Sequence, residues 1–389
     1  MSPHSILSSS FCLLSIVLLA VGIGNAQETA NPAPSLDSAR LNQVQVIGTH
    51  NSYHIAATPP VMQALRARSE KLAMSLDYTH RPLADQFSMF GIRQIELDVF
   101  ADPKGGLYAE PSALRTIAGA GALPAPVSEM QKPGLKILHV QDIDYRTTEP
   151  TLVSALRTIR SWLKAHPQSY PIMVMLELKQ SSIGPEFTQP HPFGPEELDS
   201  IDREILSVFR PTEIIKPDDV RGDHETLRQA VLKSGWPRLS EVRGKVIFAM
   251  DNGGELPEAY LKGHPSLRDR LLFVSVAEDH PAAAFLKLND PFGQFERIQQ
   301  AVKQNFIVRT RADSGTVESR TNDSQKRDKA LASGAQYIST DYPEPDKRFS
   351  QYHVALPGDR IARRNPVSGQ HLPELEFDPV GKQRPAAAP

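Results

Sequence analysis

Polar residues that could cleave a phosphodiester stand at the ends of four apolar runs in this sequence. They are two histidines, three carboxylates and one amide, namely His50, Asn51, Glu96, Asp98, His139 and Glu177. Cleavage of a phosphodiester needs a base for the nucleophile, an acid for the leaving oxygen and positive charge near the phosphoryl oxygens. Histidine titrates near neutral pH and suits the first two roles. Carboxylate and amide oxygens are hard ligands that suit Ca²⁺ or Mg²⁺.

The elements that must position these residues are eight short apolar runs rich in Val, Ile and Leu. The runs are Gln43–Gly48, Arg93–Phe100, Lys136–Val140, Pro171–Leu178, Lys245–Met250, Leu271–Ala277, Phe306–Thr310 and Tyr337–Thr340. Amphipathic helical spacing occurs between several of them, at Glu149–His166, Glu196–Val208, Pro291–Lys303 and Ser324–Ser333. This alternation predicts an α/β fold, a (β/α)₈ TIM barrel, as a single catalytic domain over residues 41–352.

Active sites of such barrels lie at the C-terminal ends of the strands, where the six residues also lie. Glu96 and Asp98 are two residues apart, so both side chains should point the same way. If both are buried, their charges repel each other unless a cation or proton neutralises them, which favours a metal site. His50 and Asn51 are adjacent and can share a site only if the strand has ended by His50.

Residues at the ends of three runs are candidates for contacting a bound phosphate: Lys179, Arg309, Arg311 and Asp341. Arg309 and Arg311 should face the same way on one strand and could bind a phosphate. They could equally pair with carboxylates such as Asp313, Glu318 or Asp341. In the same way, Glu177 could form an internal ion pair with Lys179 instead of binding a metal.

Composition excludes some classes of partner. The net charge of −2, with 23% charged residues, provides no polybasic surface, so a nucleic-acid partner is not expected. The one cysteine, Cys12, lies in the N-terminal apolar segment, so no disulfide is expected in the mature chain.

Residues 1–26 are typical of a secretory signal peptide. An apolar stretch from Phe11 to Ile23 precedes the small residues Gly24 and Ala26, although the segment before it has no Lys or Arg. A single-span membrane anchor is the alternative, but the stretch is short for a bilayer. We therefore expect a secreted or periplasmic monomer with no transmembrane span in its mature form, a linker at residues 27–40 and a Pro-rich, partly disordered tail at residues 353–389.

Several stretches resemble the calcium-dependent phosphatidylinositol-specific phospholipases C, particularly the small single-barrel bacterial and fungal group. They are IGTHNSYH (Ile47–His54), Asp77–Pro103, GLYAEP (Gly106–Pro111), ILHVQDIDYRT (Ile137–Thr147), VRTRADSGTVE (Val308–Glu318) and YISTDYPEPD (Tyr337–Asp346). Each motif alone is weakly specific. Their order along most of the chain makes the resemblance strong.

This resemblance implies a role for each of the six residues. His50 would be the general base that deprotonates the inositol 2-hydroxyl, and His139 would be the general acid for the leaving diacylglycerol. The Ca²⁺ ligands would be Asn51, Glu96, Asp98 and Glu177. The substrate would be a phosphoinositide lipid at a membrane surface, and the product an inositol cyclic phosphate, with or without later hydrolysis.

Spacing alone assigns no chemical role to four nearby residues, His54, His80, Asp142 and Asp144. Hydrogen bonding within the fold is the simpler interpretation of the two histidines. The two aspartates could orient His139 or could cap the loop that follows it.

Two alternatives remain open for the function. A glycerophosphodiester phosphodiesterase is also a metal-dependent barrel with paired histidines, but that family typically follows its first histidine with Arg, whereas Asn51 follows His50 here. A non-catalytic phosphoinositide-binding barrel would not need to retain both an acid and a base.

Overall fold

The computed structural model describes residue 1 and residues 39–117 and 128–372. The predicted signal peptide lies outside the described residues, apart from residue 1, as do nearly all of the predicted linker and residues 373–389 of the predicted tail. All elements below belong to one compact unit of the described chain. Within the described ranges, no helix is long and apolar enough to cross a bilayer.

A single sheet contains all of the strands in the described part of the chain. They are β1 (Val44–Thr49), β2 (Gln94–Phe100), β3 (Lys136–Ile137), β4 (Ile172–Leu178), β5 (Ile214–Ile215), β6 (Val246–Met250), β7 (Leu272–Phe273), β8 (Phe285–Lys287), β9 (Ile307–Arg311), β10 (Tyr337–Thr340) and β11 (Ala362–Arg364). Nine of these described strands run parallel. Eight of them follow the order β1-β2-β4-β6-β7-β8-β9-β10, with β10 paired to β1, and the ninth, β5, pairs with β6. An isolated parallel bridge from Ser275 to Phe285 links β7 to β8 and completes the ring of the TIM barrel.

The helices lie between the strands. They are α1 (Pro59–Arg68), α2 (Glu70–Ser75), α3 (Leu83–Met89), α4 (Ser112–Thr116), α5 (Leu152–Ala165), α6 (Pro195–Val208), α7 (Pro217–Arg221), α8 (Leu227–Ser234), α9 (Leu239–Val242), α10 (Glu255–Leu261), α11 (Phe295–Lys303), α12 (Val317–Thr321) and α13 (Gln325–Ser333). Short 3₁₀ helices occur at Leu41–Gln43, Ser128–Gln131, Pro211–Glu213 and Pro265–Leu267.

Helix α5 shows why the predicted amphipathic segments fold as helices. Thr151 caps its N-terminus, since its hydroxyl accepts a hydrogen bond from the Ser154 amide at 3.1 Å. Its buried residues include Leu152, Leu156 and Ile159, which recur at the helical period. Helices α6, α11 and α13 likewise occupy the other segments predicted from their spacing.

The predicted third barrel strand, Lys136–Val140, is the main difference from the sequence-based topology. Only its first two residues form a strand, and β3 runs antiparallel to β2. The chain then turns sharply, because Asp142 adopts a left-handed conformation (φ 70°) and the Asp144 amide donates to the Val140 carbonyl at 2.9 Å. The remaining barrel position is taken by β8, which at three residues is too short for a periodic signal.

The core of the barrel continues beyond the predicted domain end at residue 352. Strand β4 is buried at all but one position, as expected for a central parallel strand with both faces covered. The same core includes Val354, Leu356 and Leu372, and β11 pairs antiparallel with β1.

The close contact of β1 with β2 generates a stability prediction. A Cβ atom on Gly48 would lie 2.0 Å from Oε1 and 2.7 Å from Cβ of Gln94. We expect Gly48→Ala to lower the free energy of unfolding by about 1–3 kcal/mol through overpacking, measured by urea denaturation.

Gly253 provides the matched control, because a Cβ there would meet nothing within 4 Å. Gly253→Ala should change the free energy of unfolding by less than about 0.5 kcal/mol. Equal stabilities for the two variants would contradict the packing described here.

Candidate functional site

His50 lies directly after the end of β1, between two carboxylates. Its Nδ1 is 2.7 Å from Oδ1 of Asp341, which follows β10, and its Nε2 is 3.6 Å from Oε1 of Glu96. Burial, followed by the charge of Arg311, lowers the pKa of His50 to about 3 against the opposing effect of Asp341. The imidazole is therefore neutral near pH 7, and a proton on Nδ1 facing Asp341 leaves the Nε2 lone pair to act as a base.

Asn51 lies beyond the end of β1, next to His50. Its φ of 45° is left-handed, a conformation that Asn tolerates better than most residues. Its Nδ2 donates to the Tyr78 hydroxyl at 3.0 Å. Strand β1 ends at Thr49, so the adjacent residues His50 and Asn51 are not forced to face opposite ways and can share a site.

Carboxylates from three neighbouring strands meet at the C-terminal end of the barrel. Asp98 on β2 is in register with Glu177 on β4, and Asp251 comes directly after β6, whose last residue pairs with the neighbour of Glu177. One oxygen from each of Glu96, Glu177 and Asp251 lies within 4.8 Å of the other two. The structure thus brings Glu96, Asp98 and Glu177 together as predicted, and adds Asp251.

Burial dominates the electrostatics of this cluster. It raises the pKa of Glu96 to about 8, against the opposing charge of Arg309, and nearby Asp251 and Glu177 raise it further. Burial likewise raises the pKa of Asp98 well above its usual value, with Lys179 opposing. A bound cation would favour the ionised form of both carboxyls.

The hydrogen bonding of the cluster fits a cation with oxygen ligands. Asn51 Oδ1, both carboxylate oxygens of Asp98 and Oδ1 of Asp251 are buried, and none accepts a well-formed hydrogen bond within the described residues. Leaving such an atom unsatisfied costs about 1–3 kcal/mol. Amide and carboxylate oxygens without thiolates are the donor set that Ca²⁺ prefers, so the residues present fit this ion.

Lys179 reaches into the cluster from the end of β4. Its Nζ lies 3.3 Å from Oδ2 of Asp98 and 3.3 Å from Oε1 of Glu177. The ion pair considered from the sequence as an alternative role for Glu177 is therefore present. Glu177 also faces Glu96 and Asp251, so the ion pair and a place in the metal cluster are compatible.

His139 follows β3 and borders the same carboxylates. Its Nδ1 is 2.7 Å from Oδ2 of Asp144, and its side chain is 21% exposed. It lines a cavity of about 310 Å³ together with Glu177 and Lys179. Asp144 thus holds the ring through Nδ1 and leaves Nε2 available.

His54 shares the Asp144 carboxylate with His139. Its Nε2 is 2.8 Å from Oδ2 of Asp144, and its Nδ1 is 3.0 Å from the carbonyl oxygen of Tyr78. Both nitrogens face acceptors, so the ring bonds both as an imidazolium. Burial acts to lower the pKa of His54, but the charge and hydrogen bond of Asp144, with smaller contributions from Asp341 and the Tyr78 carbonyl, together raise it.

Asp142 and His80 organise the backbone around the site. The Asp142 carboxylate accepts hydrogen bonds from the amides of Ser112, at 2.8 Å, and Thr188, at 2.5 Å, so it joins two loops and does not contact His139. His80 Nε2 is 2.9 Å from the carbonyl oxygen of His50. Of the two aspartates considered after His139, Asp144 orients the ring and Asp142 caps loops.

The two arginines of β9 are both paired with carboxylates. Arg309 is 1% exposed and its Nη2 donates to Oε2 of Glu96, while Arg311 Nη2 donates to Oδ2 of Asp341 at 2.9 Å. Asp341 in turn contacts His50. Of the two roles left open by the sequence, carboxylate pairing is the one these contacts describe.

Two charged residues of the site were missed from the sequence. Asp251 follows the predicted run Lys245–Met250 at the same strand position as the other candidates, so the signal that identified them could have found it. Lys287, whose Nζ is 2.7 Å from Oδ2 of Asp251, ends β8, which had no recognisable signal.

Comparisons with known proteins agree with this geometry. The family model PI-PLC-C1, described as phosphoinositide phospholipase C, Ca²⁺-dependent, matches residues 39–366. No curated protein sequence is significantly similar to this chain.

Solved structures are similar in fold at low sequence identity. A calcium-dependent phosphoinositol-specific phospholipase C from a Pseudomonas species (apo form, myoinositol complex) aligns with 85% of this chain and 97% of its own, at 14% identity and a TM-score of 0.51. A Ca²⁺-dependent phosphatidylinositol-specific phospholipase C from Streptomyces antibioticus aligns with 78% and 95%, at 15% identity and a TM-score of 0.48.

The family match spans most of the sequence and includes all of the candidate site residues. The resemblance inferred from the motifs is thereby confirmed, and with it the phospholipase C class of enzyme. This chain belongs to the Ca²⁺-dependent phosphoinositide phospholipase C family.

Proposed function

We propose that this protein is a secreted phosphatidylinositol-specific phospholipase C that releases diacylglycerol and an inositol cyclic phosphate. One observation carries the proposal. Each of two imidazoles beside a buried carboxylate cluster has its Nδ1 2.7 Å from a buried carboxylate, Asp341 for His50 and Asp144 for His139. Both Nε2 atoms are thereby left for proton transfer.

His50 is the general base of this reaction. Its neutral Nε2 takes the proton of the inositol 2-hydroxyl, and the 2-oxygen attacks the adjacent phosphorus. Asp341 holds the ring and stabilises the imidazolium that forms, while Arg311 holds Asp341. Asp341 and Arg311 therefore lie behind the base and are positioning residues for His50.

His139 is the general acid. In its protonated form it gives the Nε2 proton to the glycerol oxygen as the bond from phosphorus to that oxygen breaks. Asp144 stabilises the protonated ring. The substrate phosphate would lie in the cavity shared by His139, Glu177 and Lys179, with Lys179 as a phosphate contact.

The residues proposed to hold Ca²⁺ are Asn51, Glu96, Asp98 and Glu177, with Asp251 beside them. A bound Ca²⁺ supplies positive charge for the phosphoryl oxygens and lowers the pKa of the attacking hydroxyl. Arg309 fixes the orientation of Glu96 through its own bonds to Asn289, at 2.8 Å, and Ser339, at 3.1 Å.

Export is also proposed from the sequence. Residues 1–26 would be removed as a signal peptide, and residues 27–40 would link the mature N-terminus to the catalytic domain. Intact mass of the protein recovered from the culture medium or periplasm would show cleavage after Ala26. Recovery of uncleaved protein with the membrane fraction would overturn the proposal.

The catalytic assignment predicts the effect of replacing either histidine. His50→Ala and His139→Ala should each lower kcat on phosphatidylinositol vesicles by about 10²- to 10⁴-fold, since each removes one proton-transfer group. Phosphorus NMR would follow the products, with a calcium-dependent cyclic phosphate signal expected from the unmodified protein.

The control is His224→Ala, which should leave the rate unchanged, because His224 lies in the loop before α8 and bonds Ser234 at the end of that helix. Unchanged turnover in either site variant would overturn the mechanism. Release of glycerophosphate from a deacylated diester, with intact lipid untouched, would instead support a glycerophosphodiester phosphodiesterase.

The raised pKa of Glu96 predicts how Ca²⁺ affinity depends on pH. Below its pKa of about 8 the carboxyl holds a proton that Ca²⁺ must displace, and above it does not. The dissociation constant should fall by up to about tenfold for each pH unit up to pH 8 and then level off. Isothermal titration calorimetry across this range measures it.

Glu96→Gln is the control for this titration. It should bind Ca²⁺ more weakly but lose the part of the slope that the Glu96 proton contributes. An affinity that does not change with pH in the unmodified protein would contradict the assignment of Glu96 as a protonated ligand.

A further inference from the structure

The ammonium group of Lys179 occupies a position between two of the proposed metal ligands. It is 3.3 Å from Asp98 Oδ2 and 3.3 Å from Glu177 Oε1, and these carboxylates belong to neighbouring strands. We propose that Lys179 is an internal counter-cation that Ca²⁺ displaces, so that its ammonium becomes available to an anionic substrate only after the metal has bound. This inference rests on the proposed function.

The other cations of the cluster make short or multiple contacts with partners of their own. Arg309 is 1% exposed and bonds Glu96, Asn289 and Ser339 at once. Lys287 makes a short ion pair of 2.7 Å with Asp251.

Lys179, by contrast, is divided between two carboxylates. Its two contacts, at 3.3 Å each, are longer than the 2.7 Å ion pair of Lys287, and Asp98 accepts no well-formed hydrogen bond from it. Of these three cations, it is therefore the one that lies between two of the proposed metal ligands.

A divalent ion and this ammonium compete for the same oxygens. An ion bound by Asp98 and Glu177 would lie close to the present position of Nζ, and the two positive charges would repel each other strongly at this low dielectric. The carboxylates would also exchange one positive charge for two. Binding of the metal and departure of the ammonium are thus a single exchange.

The open side of the site determines where the displaced ammonium goes. Lys179 lines the cavity of about 310 Å³ that also contains His139. Lys179 directly follows β4, and its amide donates to the Val99 carbonyl at 2.9 Å, so the flexible side chain can swing into this cavity while the backbone stays in place. There it meets the phosphate whose leaving oxygen His139 protonates.

Removal of the competing ammonium should tighten Ca²⁺ binding. We expect Lys179→Met to lower the Ca²⁺ dissociation constant about tenfold, measured by calorimetry on the full chain. Lys303→Met, in the exposed last turn of α11, changes the net charge equally and should have no effect.

Lys287→Met distinguishes the loss of a displaced ammonium from the loss of any nearby positive charge. Lys287 pairs with Asp251 and does not contact Asp98 or Glu177. Its effect on the dissociation constant should be clearly smaller than that of Lys179→Met. Equal effects of the two variants, or an unchanged constant in Lys179→Met, would overturn the inference and leave the proposed function standing. Absence of Ca²⁺ binding in the unmodified protein would overturn both.

A second readout follows the ammonium itself. Acylation of lysines by an amine-reactive ester, quantified by mass spectrometry, should become faster at Lys179 when Ca²⁺ is added, while Lys287 keeps its rate. A slower or unchanged rate at Lys179, in protein shown to bind Ca²⁺, would mean that the ammonium does not leave its carboxylates.

Discussion

Concentrated negative charge at the C-terminal end of the barrel is the constraint on which the rest of this structure depends. Glu96, Asp98, Glu177 and Asp251 project from three neighbouring strands into a small volume, and three of them are buried. Charges of one sign in such a place must be neutralised by protons, by internal cations or by a metal ion. The protein uses a proton on Glu96, whose pKa is raised to about 8, and the internal cations Lys179, Lys287 and Arg309. The remaining negative charge and the oxygen ligands suit Ca²⁺.

The same need for compensating charge places the two imidazoles. Each histidine is held through Nδ1 by a carboxylate, and each carboxylate has a cation of its own. Arg311 bonds Asp341 behind His50, and His54, an imidazolium by its contacts, bonds Asp144 beside His139. The acid and the base are therefore oriented by two similar arrangements built from different parts of the chain, and neither carboxylate occupies the Nε2 atom of its histidine.

Sequence reasoning succeeded where chemistry and strand position coincide. Glu96, Asp98 and Glu177 end long apolar runs, so the barrel rule places them together without any coordinates. The sequence-based prediction of strands was wrong where tertiary contacts determine which segment joins the barrel. Strand β8 is too short to show a period, and the turn at Asp142 prevents Lys136–Val140 from becoming a barrel strand.

Side-chain contacts between strands also could not be predicted from the sequence. The position of Lys179 between Asp98 and Glu177 depends on the register of β2 with β4, and the pairing of Arg309 with Glu96 depends on closure of the ring. Location of the metal tests the account most directly. In a crystal soaked in Ca²⁺, we predict one anomalous-scattering peak within about 2.3–2.6 Å of oxygens from Asn51, Glu96, Asp98 and Glu177. A peak elsewhere, or Lys179 still bridging Asp98 and Glu177 at full Ca²⁺ occupancy, would contradict it.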